Sequence, residues 1–469
     1  MSTLYEQLAD AVAQRILDGH LQPGERLPSV RQTCAQAQVS PATVFQAYDL
    51  LEGRGLIEAR PRSGFYVRKQ LRRTTQPAVA VTPRTESTSV AISELVFEVL
   101  NSTRDRDVVP LGSAFPSPTL FPLERLAKDG ARAMRQLAPQ ALTTELASGN
   151  ARLREAVRAR SVRQGLPVGP KEPIITNGAM EALNLCLQAV TQPGDVVAVE
   201  TPTFYAALQA LERLHLRAVE LPTDPQLGVD PDGLAEVIQR HRVAACWLMP
   251  NFQNPLGALM PHARKQAVMQ VLNRAGVPAV EDDVYGELHH GSARPLPLKA
   301  FDTEGRVLYC SSFSKCLAPG YRVGWALAGR HSHMVEKLKM MSSLTTSVPA
   351  QLALAEYLEE GGYDRHLRQL RKTLAQSLGQ LRHCVLKHFP KGTRVSRPTG
   401  GYFLWVQLPE GIDTLHVYRA ALARGISVAP GAVFSADQRF RSALRLNGGH
   451  PQDPRVPDAI KVLGQLMSA

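Results

Sequence analysis

One lysine, Lys315, stands among hydroxyl side chains and seven residues before an arginine. The stretch 311–322 around it reads SSFSKCLAPGYR and lies just after the apolar run 307–309. A lysine at the end of a covered strand loses solvation and part of its pKa, so its amine is suited to imine formation. The serines and Arg322 suit a phosphate, and a lysine beside a phosphate cradle is what pyridoxal phosphate requires. A surface lysine in a polar loop is the alternative that this stretch alone leaves open.

Composition limits the class of protein. The chain has 469 residues, of which 44% are hydrophobic and 20% are charged, and this length predicts about three domains. The net charge of +12 makes a polyanionic partner plausible. We expect neither a membrane span nor a signal peptide, since no apolar run approaches roughly 18 residues. The six cysteines have no Cys-x-x-Cys spacing, which favours a cytoplasmic protein and argues against a metal site.

Residues 1–70 predict a compact unit with the order helix, helix, turn, helix and hairpin. Apolar residues recur at every fourth position in the first 16 residues and predict one helix. Ser29 caps a second short helix, and Ser40 followed by proline begins a third. Two β-rich runs flank the turn 61–64 and predict the hairpin. This order is that of a winged helix-turn-helix, an α+β unit.

The third helix of such a unit enters the major groove of double-stranded DNA by its N-terminal end. Near the start of the second helix, an arginine is placed to contact phosphate. The hairpin is basic, with no acidic residue from 60 to 73. A small interaction domain with a solvated basic face is the alternative. The residues predicted to meet DNA are Arg31, Ser40, Ala42, Thr43, Gln46, Arg62 and Gly64.

The pattern changes twice beyond the hairpin. Residues 71–90 are polar, punctuated by prolines and without periodicity, and they predict a flexible linker. In residues 91–469, short apolar β-rich runs alternate with helical stretches, which is typical of a doubly wound α/β domain with about seven largely parallel strands. We expect a large α/β subdomain over about 110–330 and a small α+β lobe over about 331–469.

Polar residues follow five of the predicted strands, at the edge where such sheets bind ligands. The five segments are 177–180, 201–205, 251–257, 281–285 and 312–315. Each also has an ordinary structural interpretation: Gly178 suits a strand-to-helix turn, residues 254–257 suit a β-turn, and Asp282 suits a helix cap. Their common position on successive strand ends favours one shared site.

Motifs in both parts of the chain match known families. In residues 2–68 they include Pro23-Gly24-Glu25-Arg26-Leu27-Pro28-Ser29-Val30-Arg31, Ser40-Pro41-Ala42-Thr43-Val44 and Ser63-Gly64-Phe65-Tyr66-Val67. From about 110 to 465 they include Thr176-Asn177-Gly178, Pro202-Thr203-Phe204-Tyr205, Asn254-Pro255-Leu256-Gly257, Glu281-Asp282-Asp283-Val284-Tyr285, Ser312-Phe313-Ser314-Lys315 and Leu444-Arg445-Leu446. The first part closely resembles the GntR-type DNA-binding domain, and the second resembles the fold-type-I aminotransferase domain. The whole chain resembles the MocR subfamily of GntR regulators.

This resemblance implies that pyridoxal 5'-phosphate is the cofactor. It assigns Lys315 the aldimine with the cofactor and, once an amino acid displaces it, the role of the base that shuttles the proton. Asp282 is assigned to the pyridine nitrogen, which an anion keeps protonated. Tyr285 and Asn254 are assigned to the phenolic oxygen of the ring.

The resemblance also implies contacts for the rest of the cofactor and for a substrate. Phe204 is placed to stack on the ring, with Tyr205 as the less favoured candidate. Arg445 is assigned to the carboxylate of a substrate, which arginine binds bidentately. The residues assigned to the phosphate side are Gly178, Ala179, Met180, Ser312, Ser314 and Arg322.

Two positions depart from the family pattern. Pro41 stands where relatives often carry an arginine that reads DNA, so the operator sequence does not carry over. Many members also have a tyrosine just before the glycine equivalent to Gly149, where it reaches the phosphate of the neighbouring subunit. Here no tyrosine occurs between Tyr66 and Tyr205, which weakens the prediction of a site shared across a dimer.

Taken together, these features predict a homodimeric transcription regulator that senses pyridoxal phosphate or an amino-acid-like effector through Lys315. The alternative is an active pyridoxal-phosphate-dependent aminotransferase with an appended DNA-binding domain. A third hypothesis makes the C-terminal domain a dimerisation scaffold without a cofactor, and the set Asn254, Asp282, Tyr285 and Arg322 argues against it.

Overall fold

The computed structural model describes residues 4–17, 21–22, 24–53, 56–60, 63–67, 78–80, 83, 86–101, 107–137, 139 and 147–468. The chain divides into two compact units, Met1–Gln76 and Pro77–Ala469. Within the described ranges, no helix is long and apolar enough to cross a membrane.

The N-terminal unit has the predicted winged helix-turn-helix fold. Helix α3 turns Val44, Ala47, Tyr48 and Leu51 inward, and all four are buried, as expected for positions spaced along one helix face. The two strands of the hairpin pair in antiparallel fashion. The elements are α1 (Leu4–Leu17), α2 (Val30–Ala37), α3 (Pro41–Gly53), β1 (Ile57–Arg60) and β2 (Gly64–Val67).

Side-chain hydrogen bonds fix α3 against α2. The hydroxyl of the buried Tyr48 donates to the carbonyl of Pro28 at 2.9 Å and lies 2.7 Å from the hydroxyl of Thr33. At the start of α2, Ser29 forms a capping box with Gln32. These contacts set the position of the helix that is expected to read DNA.

The C-terminal unit contains twelve of the described helices and sixteen of the described strands. The helices are α4 (Ser93–Asn101), α5 (Leu123–Gln136), α6 (Ala151–Arg163), α7 (Ala179–Val190), α8 (Tyr205–Arg213), α9 (Pro231–Arg240), α10 (His262–Ala275), α11 (Ser332–Ser342), α12 (Val348–Glu359), α13 (Tyr363–His388), α14 (Thr414–Leu422) and α15 (Val456–Leu466). The strands are β3 (Thr88–Ser89), β4 (Val109–Pro110), β5 (Ile174–Thr176), β6 (Val196–Glu200), β7 (Arg217–Leu221), β8 (Thr223–Asp224), β9 (Gly228–Val229), β10 (Val243–Leu248), β11 (Ala279–Asp282), β12 (Val307–Ser312), β13 (Gly324–Leu327), β14 (Arg394–Val395), β15 (Phe403–Gln407), β16 (Ile426–Ser427), β17 (Ala429–Pro430) and β18 (Ala443–Asn447).

The main sheet has the strand order β3-β7-β6-β10-β11-β12-β13-β5. Its central strands β7, β6, β10, β11 and β12 run parallel, whereas β13 is antiparallel to both of its neighbours. The predicted α/β fold is confirmed, and the apolar character of the central strands follows from helices covering both faces. The second sheet, β14-β15-β18-β17, is antiparallel and lies in the predicted small lobe.

The structure differs from the predicted linker 71–90 at its C-terminal end. Strand β3 pairs with β7 at the edge of the main sheet. Arg217 on β7 donates to the carbonyl oxygen of Ser87 at 2.6 Å and to its hydroxyl at 3.0 Å. These partners lie 130 positions apart in the chain, so local composition gave no sign of the pairing. Residues 68–77 lie outside the described part of the chain.

Candidate cofactor and effector site

Lys315 follows the end of β12 and is partly buried. Its Nζ donates to the carbonyl oxygen of Ala114 at 2.8 Å and lies 3.8 Å from the centroid of the Phe115 ring. Burial lowers the pKa of Lys315 to about 7; the cation Arg445 lowers it as well, while Asp282 opposes this effect. Near neutral pH a large share of Lys315 is therefore in the neutral amine form, which is the form that acts as a nucleophile.

Asp282 occupies the last position of β11 and is 1% exposed. One of its carboxylate oxygens accepts a long hydrogen bond of 3.4 Å from the amide of Val284. Burial raises the pKa of Asp282 to about 7. A carboxylate that is so poorly solvated is stabilised by a cationic partner, and a protonated pyridine nitrogen is such a partner.

The depressed pKa of Lys315 gives a pH prediction. Because only the neutral amine attacks an aldehyde, the rate of covalent attachment of pyridoxal phosphate should be half-maximal near pH 7 and level off above it. An ordinary lysine, with a pKa of about 10.4, would still be accelerating at about pH 9. Stopped-flow absorbance at a series of pH values measures this profile. Asp282→Asn removes an anion that raises the lysine pKa, so its profile should shift to lower pH; an unchanged midpoint would contradict the coupling.

Asn254 shows a buried hydrogen-bond donor without an acceptor. The residue is fully buried, and its Oδ1 accepts from Arg445 at 3.2 Å. Its Nδ2 has no partner among the described residues, which is costly for a buried amide unless an acceptor is supplied. Tyr285 is buried beside Tyr402, with ring centroids 5.7 Å apart, and burial raises the pKa of its phenol. The Nδ2 of Asn254 is therefore available as a donor to an oxygen of a bound ring. The raised pKa keeps the phenol of Tyr285 protonated, and its hydroxyl hydrogen-bonds with that of Tyr402.

The residues predicted to hold the phosphate lie together at the N-terminus of α7. Gly178 is the N-cap residue and supplies no side-chain cap, so the first amides of the helix are available to an anion. A Cβ on Gly178 would lie 2.5 Å from Nη2 of Arg322, which brings this guanidinium against the helix end. Arg322 also donates to the hydroxyl of Ser314 at 3.3 Å, and the amide of Ser314 lies 3.4 Å from the hydroxyl of Ser312. Ala179 and Met180 begin the helix at this point.

Arg445 lies on β18 and is fully buried. Its guanidinium donates to the carbonyl oxygens of Gly112 at 2.8 Å and Ser113 at 3.1 Å, and it lies 4.2 Å from the ring of Phe403. The guanidinium group that was predicted to bind a substrate carboxylate therefore donates to backbone carbonyls in this structure. A carboxylate that binds Arg445 through these donors must replace those carbonyls, which sequence reasoning did not foresee.

The two aromatic candidates for ring stacking are neighbours in space as well as in sequence. The rings of Phe204 and Tyr205 lie 4.7 Å apart, and Tyr205 lies 5.8 Å from Phe434. Tyr205 is buried and 5.9 Å from the Arg445 guanidinium, whereas Phe204 is only partly buried. The structure brings both rings to the site, so the preference for Phe204 stays a prediction.

Sequence reasoning missed Glu200 and the segment 112–115. Glu200 ends β6, is 1% exposed and accepts from the amide of Met249 at 2.9 Å, while its Oε1 has no partner among the described residues. Burial raises the pKa of Glu200 to about 8. A carboxylate that ends an apolar strand directly before the polar segment 201–205 was the available signal. The segment 112–115 gave none, because its contacts are made by backbone carbonyls.

The residues predicted to meet DNA divide into two groups. Ser40 and Thr43 lie at the start of α3, but their hydroxyls are 2.9 Å apart and that of Ser40 also accepts from the amide of Thr43. The hydroxyl of Ser40 therefore caps the helix, and the hydroxyl of Thr43 contacts it. The predicted contact residues that are exposed are Arg31, Ser40, Ala42, Gln46 and Gly64, whereas Thr43 is partly buried. Arg62 lies outside the described residues.

Comparisons with known proteins cover both units. Residues 107–455 match the family Aminotransferase class I and II, and residues 4–67 match Bacterial regulatory proteins, gntR family. Over 463 residues the chain is 45% identical to the uncharacterized HTH-type transcriptional regulator YdcR of Escherichia coli (strain K12), and the match covers 99% of this chain and 98% of YdcR.

Two further matches are to aminotransferases and cover about four-fifths of the chain. Aromatic-amino-acid aminotransferase 1 of Thermococcus litoralis is 32% identical over 377 residues, which cover 78% of this chain and 90% of that protein. The solved structure of LysN, the α-aminoadipate aminotransferase of Thermus thermophilus complexed with N-(5'-phosphopyridoxyl)-L-leucine, matches with a TM-score of 0.72 at 29% identity. That match covers 81% of this chain and 98% of the LysN chain.

Proposed function

Because the chain belongs to the MocR-like GntR regulators, which fuse a GntR helix-turn-helix domain to an aminotransferase class I and II domain, we propose that it regulates transcription according to the ligand held at Lys315. Members of this family are DNA-binding regulators, and their second domain is related to pyridoxal-phosphate-dependent aminotransferases. The observation that carries the sensing proposal is a lysine with a pKa near 7 beside buried, unpartnered donors, in the same chain as a DNA-binding unit.

The residues fit pyridoxal phosphate. The unpartnered Nδ2 of Asn254 suits the phenolic oxygen, the uncapped end of α7 with Arg322 suits the phosphate, and Asp282 suits the pyridine nitrogen. When bound, this cofactor supplies an aldehyde that reacts with amines and a ring that accepts electrons. Lys315 then serves as the anchoring amine and as a group that accepts or returns a proton at Nζ near neutral pH.

We assign Arg445 to the carboxylate of an amino-acid effector. Two of its hydrogen bonds end on the carbonyls of Gly112 and Ser113, and an anionic acceptor forms stronger bonds to a guanidinium than neutral carbonyls do. An effector carboxylate that binds the Nη2 nitrogen therefore displaces the carbonyls of Gly112 and Ser113 from Arg445. In a cytoplasmic homodimer, this change would shift the population of arrangements of the DNA-binding units and so the preferred half-site spacing.

Footprinting of the full chain on its operator tests the sensing proposal. The footprint or affinity should change when pyridoxal phosphate is added, change again with an amine effector, and respond to neither in Lys315→Ala. Binding that is identical under all of these conditions would contradict sensing, although DNA binding itself would stand.

An active aminotransferase is the second candidate function. The proximity of Lys315 to Arg445 and Asp282 supports it, as does the likeness to named aminotransferases. An amino acid should then convert the bound cofactor to its amine form in a single turnover, and a keto acid should restore it. Repeated turnover at rates of about 1 per second or more, which is ordinary for enzymes, would favour catalysis over sensing.

Arg31 gives a prediction for the DNA-binding unit. Its side chain is exposed at the start of α2, where a phosphate contact is expected. Arg31→Ala should weaken binding to all DNA sequences alike and reduce the slope of log K against log salt by about 1. Fluorescence anisotropy at several salt concentrations measures both effects. A loss confined to one operator sequence, with the slope unchanged, would show base reading instead.

A further inference from the structure

The outward face of α3 carries an exposed aromatic side chain that the predicted DNA contacts do not include. Phe45 is 55% exposed, whereas its neighbour Val44 is fully buried. One turn earlier on the same side of the helix lie Pro41 and Ala42, which are both exposed. The three side chains form an apolar surface near the N-terminal end of α3.

The polar groups at this end of α3 are few. The hydroxyls of Ser40 and Thr43 are engaged with each other and with the helix amide. Gln46 is exposed beside Phe45 and offers an amide. The base-reading surface of α3 is therefore mainly apolar, with a single carboxamide next to it.

In the major groove, the 5-methyl of thymine is the apolar group that distinguishes one base from the others, and phenylalanine and alanine are among the side chains that contact it. Glutamine matches the N6 and N7 atoms of adenine. We propose that Phe45, supported by Ala42, reads the 5-methyl group of a thymine beside an adenine that Gln46 reads. The proposal rests on the DNA-binding function of this unit and specifies which bases the unit recognises, a thymine beside an adenine.

The charges of the same unit favour DNA over a protein as the occupant of this surface. Arg31 is exposed at the N-terminus of α2. Arg26 is exposed too, and its guanidinium lies 3.5 Å from the point where a Cβ on Gly64 would stand. Exposed cations and a helix N-terminus in the same unit as this apolar surface suit a groove bordered by phosphates.

The test begins with the full-length protein and a random DNA library, from which bound duplexes are selected and sequenced. Single thymines of the selected site are then replaced by deoxyuridine, which lacks only the 5-methyl group. The wild type should lose about fourfold in affinity at one position of each half-site, the effect of exposing one buried CH₂-sized group. Phe45→Ala should bind thymine and deoxyuridine duplexes equally, and Phe45→Leu should keep part of the difference.

Phe97→Ala is the matched control, since Phe97 is 61% exposed in the C-terminal unit and its loss should leave the methyl effect intact. Equal thermal stability of the variants excludes unfolding as the cause. If the wild type binds DNA but ignores every methyl group, or if Phe45→Ala retains the methyl effect, the proposal is wrong while DNA binding stands. If the wild type selects no DNA, both fail.

Discussion

Lys315→Ala is expected to abolish covalent retention of pyridoxal phosphate. The wild type should show the absorption band of the bound cofactor, lose it on treatment with borohydride, and then carry the cofactor mass on the peptide that contains Lys315. The variant should show no such peptide, because alanine removes the amine that bonds to the aldehyde. The fold should persist, since the carbonyl of Ala114 still accepts from the hydroxyl of Tyr402 at 3.0 Å.

The exposed lysine Lys337 provides a control. Lys337→Ala should retain the band and the labelled peptide at wild-type levels. A reduced cofactor found on another lysine in wild-type protein would contradict the assignment, whatever the variant shows.

Arg322→Met should reduce affinity for pyridoxal phosphate by about ten- to hundredfold, as expected for the loss of a hydrogen bond to a charged group. Affinity for pyridoxal, which lacks the phosphate, should change little, because Arg322 is assigned to the phosphate alone. The dissociation constants of pyridoxal phosphate and pyridoxal, each measured for the wild type and for Arg322→Met, give the coupling energy between Arg322 and the phosphate group. The fold should tolerate the change, since Arg322 is exposed.

Arg330→Met is the matched control, because Arg330 is an exposed arginine beyond the phosphate-binding residues, and it should leave both affinities unchanged. If Arg322→Met weakens both ligands equally, the arginine acts on the ring or on the fold, and the phosphate cradle has been placed wrongly.

The strongest sequence signals were local ones. Helix α3 was predictable from Ser40 and from the inward spacing of Val44, Ala47 and Leu51, and the structure has that helix. The central strands were predictable because each is a short and largely apolar run, and three of them end at a polar residue: β6 at Glu200, β11 at Asp282 and β12 at Ser312. Because these strands are parallel, their carboxyl ends lie at one edge of the sheet. The clustering of the candidate site residues could therefore be predicted from the topology.

The remaining features depend on contacts between distant parts of the chain. The contact of Lys315 with Ala114 spans 201 positions, and that of Arg445 with Gly112 spans 333. Both end on backbone carbonyls, which every residue possesses, so side-chain types gave no signal. The hydroxyls of Ser40 and Thr43 illustrate the opposite case, because their types suit both a cap and a base contact. The structure shows the cap by Ser40, and their contact with DNA stays a prediction.

The affinity for pyridoxal phosphate, measured with and without saturating operator DNA, tests whether the ligand site at Lys315 communicates with the DNA-binding unit. If ligand binding at Lys315 and DNA binding by the N-terminal unit are coupled, each must change the affinity of the other by the same factor, typically about five- to 150-fold. Titration of the full-length protein should give such a factor, and the factor should be lost in Lys315→Ala. A dissociation constant for pyridoxal phosphate that is the same with and without operator DNA would show that the two sites are not coupled.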